Sequence, residues 1–271
     1  MIDIRHSIHR LILTLNDVLA RVFFIAKQDR YKKSLPRFSI VIATYNRPHI
    51  LVERTLPSIL SQKGADFEIV VIGDGMKLAD WSVVEGFCKK YENIILHNFS
   101  QRSNYPTDAV ARWMVAGARP RNFGVKISSG DWIYVLSDDD ILLPGALHAF
   151  SNAISKSPDY DCWFACYRYY SGDPPVAKVR DINDDYQPLT FPSTGIPAWI
   201  MSRSLMYFKW NEYSWKNSWN KPSDYDLLHR LHMAGAKFGY LDTLVAESPL
   251  VEGVGLSGSK AAEFLETQAG D

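Results

Sequence analysis

An α/β fold with a mostly parallel central sheet and helices on both of its faces is what this sequence predicts. Three observations carry the prediction. Short β-branched runs such as "FSIVIATY" and "FEIVVIGDG" are apolar almost throughout, as strands buried on both sides are. Between them lie segments whose apolar residues recur at helical spacing. Polar and acidic residues collect just after the runs: Asn46 with Arg47, Asp74, and the triplet Asp138, Asp139 and Asp140. In open α/β sheets ligands gather beyond the carboxyl ends of the strands, so these loops are expected to share one rim.

The elements follow in order. Residues 1–35 stand apart as an amphipathic, basic helix: Ile4, Ile8, Leu11, Leu15, Val18, Val22 and Ile25 alternate at spacings of four and three, one helical stripe. Charges interrupt it, so it resembles neither a secretory signal nor a run of about 18 apolar residues that could span a bilayer. It reads as a helix docked on its own domain or on a second copy, or as one lying on an anionic membrane surface. Residues 36–250 form the main domain. "FSIVIATY" is its first strand, ended by "NRP", and "ILVERTLPSILSQ" a helix. "FEIVVIGDG" is a second strand, "WSVVEGFCKKY" a helix and "NIILHNF" a third strand. "AVARWMVAGARPRNFGVKISSG" is mostly helical, "DWIYVLS" the next strand, "PGALHAFSNAISKS" a helix and "DCWFACYRYY" a further strand. "SGDPPVAKVRDINDDYQP" reads as a polar loop with a solvated Asp184-Asp185 pair, and residues 251–271 as a Gly-rich tail.

Composition narrows the classes. With 30 Lys plus Arg against 30 Asp plus Glu, no global field favours nucleic acid. Cys162 and Cys166 fall four apart on one strand, roughly 13 Å at standard rise, too far for a disulfide. A reducing, cytoplasmic setting follows, with attachment at the inner face of a membrane open through the N-terminal helix.

The triplet raises a chemical question. Adjacent carboxylates repel, and desolvation makes this worse, so three at a strand end either spread into water or hold a cation. Oxygen ligands suit a hard divalent ion, Mg²⁺ or Mn²⁺, which in turn binds a diphosphate. Asp74, between Gly73 and Gly75, can accept hydrogen bonds from a base or ribose, and the glycines let backbone approach a ligand.

The segments "SIVIATYNRP", "FEIVVIGDGM", "RPRNFGVKISSGDWIYVLSDDDILLP" and "SDYDLLHRLHMAGAKFGYLD", taken together, resemble the family 2 glycosyltransferases over about residues 38 to 247. The resemblance implies a GT-A, Rossmann-like fold and a nucleotide-sugar donor, a UDP-sugar above all. Thr44, Tyr45, Asn46 and Arg47 then match the loop bordering the nucleobase. Asp74 matches the second acid of the family's Asp-Asp-Gly-Ser turn, the one that contacts uracil, with Gly73 in place of the first. Arg121 and Asn122 match the pair that faces the nucleotide. The triplet matches the DXD signature, with Asp138 at a ribose or metal-water contact and Asp139 and Asp140 as metal ligands.

Transfer also needs a base to take the proton of an acceptor hydroxyl. The resemblance gives that role to Asp224 in "SDYDLLHRL", where Ser223 is the expected N-cap of a helix and an acid in its first turn is also explained by the helix dipole. A single base with in-line attack implies inversion. Asp226 orients that helix or touches the acceptor, a saccharide or lipid-linked molecule. Trp199 heads an aromatic-rich stretch, Tyr207, Trp210, Tyr213, Trp215 and Trp219, that reads either as an acceptor shelf or as core. His229 and His232 have no third ligand and read as structural. The alternatives are a nucleotide-sugar-binding protein without transfer activity, a membrane or oligomer scaffold, and a nucleotidyltransferase. The last would want a Gly-rich, basic phosphate loop after the first strand, where "TYNRPHIL" stands.

Overall fold

The fold is seen in a computed structural model, described for residues 4–31, 35–171, 176–180, 198–216 and 221–249. Its centre is a nine-stranded sheet. The strands are β1 (Arg37–Thr44), β2 (Asp66–Gly73), β3 (Ile94–Asn98), β4 (Trp132–Ser137), β5 (Ile141–Leu142), β6 (Cys162–Ser171), β7 (Val176–Arg180), β8 (Trp199–Ser202) and β9 (Phe238–Ser248). Their order is β3-β2-β1-β4-β8-β6-β9-β5, with β7 pairing β6 off this path.

The parallel half is as expected. β1, central and apolar, runs parallel to β2 and β4, and β2 parallel to β3. Alternate side chains enter two cores, one on each face. Ile40, Ile42, Val71, Tyr134 and Leu136 pack beneath one set of helices: α3 (Leu56–Leu60), α4 (Leu78–Cys88) and α7 (Ala146–Lys156). Val41, Val70, Ile72, Ile133 and Val135 face the other set: α6 (Ala118–Ile127), α8 (Ser223–Met233) and α1 (Ile4–Lys27). This two-sided burial is why the runs carry no polar alternation.

Beyond β4 the sheet is mixed. β8 is antiparallel to β4 and β6, β6 and β9 are parallel, and β5 is antiparallel to β9. Two readings change here. Trp199 begins a fully buried strand, and Val176–Arg180 is a strand inside the stretch read as polar loop. The Asp184-Asp185 pair, Trp219 and the tail 251–271 lie outside the described residues.

Three local features position the rim. The helix after β1 begins as α2 (Pro48–Ile50) and passes through a π-helical turn, Leu51–Thr55, before α3. The stretch read as one helix before β4 is two, α5 (Ala109–Val115) and α6, parted at Gly117 with φ of +77°, which an L side chain rarely adopts. The N-cap of α8 is Pro222, not Ser223, which is its buried first residue. No helix among the described residues is long and apolar enough to cross a membrane.

Candidate active site

The loop after β1 sets the first side of the rim. Asn46 takes φ of 55°, a left-handed conformation that Asn tolerates, and so turns the chain sharply. Arg47, next in line, reaches across to the loop after β4. Its Nη1 donates to Asp139 Oδ2 at 2.6 Å, and its Nη2 lies 2.5 Å from Asp138 Oδ1, a charge contact without hydrogen-bond alignment. Burial opposes the Arg47 charge, but Asp138 and Asp139 outweigh it and raise its pKa.

The three aspartates differ in environment. Asp138 is 1 % exposed and burial pushes its carboxyl up to about 6, with Arg47 pulling the other way. Its Oδ2 accepts from the Tyr45 N–H at 3.4 Å, and its carbonyl accepts from the Thr55 hydroxyl at 2.9 Å. The π turn is what aims Thr55 there, a use of such turns that recurs near functional sites. Asp139 keeps 18 % of its side chain exposed. Asp140 is turned inward: its Oδ2 accepts from Ser137 N–H at 3.0 Å and its Oδ1 from the Ser248 hydroxyl. Burial and the neighbouring Asp139 push its carboxyl up. Both of its oxygens therefore have protein donors, and it ties the end of β9 to the rim. Among the described residues no group of three or more His, Cys, Asp or Glu converges as a metal cluster. Asp139 and Asp138 together still offer hard oxygens to a divalent ion, which ordinarily takes only one or two protein carboxylates alongside phosphate oxygens.

The second side follows β2. A Cβ on Gly73 would lie 2.5 Å from Asn98 Oδ1, so no acid fits there. Asn98 in turn holds the turn by bonds to Met76 N–H and C=O, both 3.0 Å. Asp74 is buried and fully engaged: Oδ1 accepts from Ser103 N–H at 3.0 Å and Ser103 hydroxyl at 2.5 Å, Oδ2 from Tyr105 hydroxyl at 2.6 Å. The same segment lays the Arg102 guanidinium over the Tyr45 ring, 3.8 Å from its centroid. Gly75, with φ of +70°, permits this approach, since a Cβ would sit 2.2 Å from Arg102 N. Residues 101–105, which carry no motif in the sequence, cover the Gly-Asp-Gly turn.

The third side is α8. Asp224 in its first turn accepts a 2.6 Å hydrogen bond from Trp210 Nε1 and lies 3.5 Å from Arg121 Nη1. Arg121 packs over Gly117, where a Cβ would meet its guanidinium at 3.2 Å. Asn122 is committed elsewhere, its carboxamide bridging Trp210 C=O at 2.9 Å and N–H at 2.8 Å. It holds the residue that holds Asp224. Asp226 is buried and paired with Arg230 at 2.8 Å, which also binds Asp17 of α1 at 2.9 Å. Trp199 is 3 % exposed, its ring 6.3 Å from Trp210 and 6.2 Å from Phe164, so it presents no face to a ligand.

Comparison with known proteins agrees in fold. A family model, Glycosyl transferase family 2, matches residues 39–212. The chain is 31% identical over 116 residues to a GalNAc(5)-diNAcBac-PP-undecaprenol beta-1,3-glucosyltransferase of Campylobacter jejuni, covering 42% of this chain and 33% of that protein. It is 30% identical over 152 residues to a poly(ribitol-phosphate) beta-glucosyltransferase of Bacillus spizizenii, 55% of this chain and 22% of that one. The chain spans less than two thirds of the length of the curated relatives it matches. Among solved structures, S. aureus TarS 1-349 in complex with UDP-GlcNAc is similar at a TM-score of 0.59 and 16% identity, over 80% of this chain and 60% of that one. A mannosyltransferase of Pyrobaculum calidifontis, in complex with GDP-Man and Mn²⁺, is similar at 0.57 and 15% identity, over 96% and 72%.

Proposed function

The chain belongs to glycosyl transferase family 2, and from that premise we propose that it transfers a sugar from a UDP-sugar to an acceptor hydroxyl with inversion. The observation that carries the reading is Asp224, a carboxylate in the first turn of α8 held in one orientation by Trp210 and Arg121. In the proposed reaction the acceptor oxygen bonds to the anomeric carbon from the face opposite the diphosphate. The bond from that carbon to the diphosphate oxygen breaks, UDP leaves, and Asp224 takes the hydroxyl proton. Trp210, donating to one oxygen, leaves the other for that proton.

Tyr45 and Arg102 border the base, and Arg47 lies beside the diphosphate. Asp139 with Asp138 would hold Mg²⁺ or Mn²⁺, and such an ion offsets charge on a departing diphosphate as a Lewis acid. Asp140 and Asn122 act as supports for the rim, Asp74 as the anchor of residues 103–105. UDP as the nucleotide draws support from the UDP-GlcNAc complex of S. aureus TarS. A saccharide or lipid-linked acceptor draws support from the glucosyltransferases of Campylobacter jejuni and Bacillus spizizenii to which the chain is similar.

Calorimetric titration with UDP, with GDP and TDP as competitors, in Mn²⁺ and again in EDTA, tests the reading. UDP binding in Mn²⁺ that Asp139→Ala abolishes, while Asp224→Asn keeps binding and loses turnover, is the expected result. Absence of binding by all three nucleotides would remove the donor site.

A further inference from the structure

Helix α1 is docked the wrong way round for its sequence. Its contacts with the domain include those of Leu13, Ala20 and Phe24, all buried, of His9 with Asn211 and the Tyr213 ring, of Asn16, which donates to Tyr207 C=O at 2.8 Å, and of Asp17, paired with Arg230. The apolar stripe faces away. Eight aliphatic side chains from Ile8 to Ile25, with Leu15 and Leu19 at their centre, are each between 53 and 71% exposed. Such a patch on a soluble surface marks an interaction site.

Charge indicates which partner. Arg10 and Arg21 are exposed and fall on one edge of the stripe, by their spacing of three turns. Asp17 is the sole acid from Ser7 to Lys27, and it is turned inward onto Arg230. A two-fold contact would set this face against itself, so the guanidinium groups would meet no carboxylate of the partner's helix. Ile12 and Leu19 also widen the stripe beyond the two-position seam that a paired coil uses. A bilayer rich in anionic lipid fits both features: acyl chains take the broad apolar face and headgroup phosphates take the guanidinium groups. Beside the helix Tyr207, half-exposed and edge-on to Phe23 at 4.4 Å, has the amphipathic character of an interfacial aromatic.

We propose that α1 lies in the plane of an anionic membrane surface and holds the domain there without crossing it. The inference does not depend on the reaction proposed above. The test is co-sedimentation of the full chain with phosphatidylcholine vesicles, with and without phosphatidylglycerol, at low and high salt, together with its mass in solution. Binding should require the anionic lipid and weaken with salt. Arg10→Gln with Arg21→Gln should reduce it roughly thirtyfold, and Leu15→Glu with Leu19→Glu should abolish it while leaving the melting temperature unchanged. Should those variants fail to fold, the wild-type comparison between the two lipids decides alone. A wild-type chain that stays in the supernatant, or binds neutral vesicles equally, overturns the proposal. So does a stable dimer that ignores vesicles and that Leu15→Glu with Leu19→Glu converts to monomer, which would assign the face to a second copy.

Discussion

Trp210 does two things at once: its ring fills the core and its N–H fixes Asp224. Replacing it by Phe keeps most of the apolar volume and removes one hydrogen bond to a charged group, worth about 1.5–3 kcal/mol. If Asp224 is the base, Trp210→Phe should lower kcat by about tenfold or more while the donor KM moves little. Equal losses in both would instead mean a general collapse of the site. Asp74 makes a different kind of test. Tyr105→Phe leaves one of its buried oxygens without a donor, and should cost about 1–3 kcal/mol in a urea melt. Glu68, far along β2 from the rim, shows the same principle under acid. Burial alone would raise its pKa, yet the Ser129 and Ser39 hydroxyls, the Ser129 N–H and Arg37 together hold it below the ordinary carboxylate value. A depressed native pKa means that the carboxylate stabilises the fold above the unfolded pKa, and that this is lost as pH falls through the native one. Melting temperature should therefore fall as pH drops below the ordinary glutamate value of about 4.3, and the fall should be shallower in Glu68→Gln.

Among the elements, the segment over the Gly-Asp-Gly turn depends on close backbone approach as well as on its side-chain bonds to Asp74. Gly75→Ala would drive a Cβ into the Arg102 backbone at a residue with φ of +70°, so it should destabilise more than an exposed Gly→Ala change, and differential hydrogen exchange should localise the loss to residues near 101–105. The parallel half of the sheet was legible because Ile40, Ile42, Val70 and Val135 are apolar on both faces, a pattern that needs no knowledge of partners. β8 was not, since "WIMS" is four residues inside an aromatic stretch and only its place between β4 and β6 makes it a strand. β9 was hidden by Asp242 and by the register shifts where it meets β6. At the rim, Arg47 and the triplet could be placed from their positions after strands. The partners that occupy Asp74 and Asp140 could not, because Ser248 lies 108 residues from Asp140 and Tyr105 lies 31 from Asp74. The stripe on α1 was read correctly as a helix face, but periodicity marks where apolar groups lie and is silent on which face the domain takes.

For the whole molecule, α1 is part of one core while lying outside the matched family region, which begins at residue 39. Burial of Leu13 and Phe24 is worth about 3–6 kcal/mol together. A chain lacking residues 1–34 should accordingly unfold at markedly lower urea, and an unchanged midpoint would show that the helix is only an appendage. Its docking has a further consequence during synthesis. The helix is synthesised well before Tyr207 and Arg230, which lie 191 and 213 residues beyond the Asn16 and Asp17 that they receive. At about 5–20 residues per second, both faces of this amphipathic helix are open for on the order of 10–40 s before the domain can claim one. Whatever meets the nascent helix in that interval, a chaperone or a bilayer, competes with the rest of its own chain.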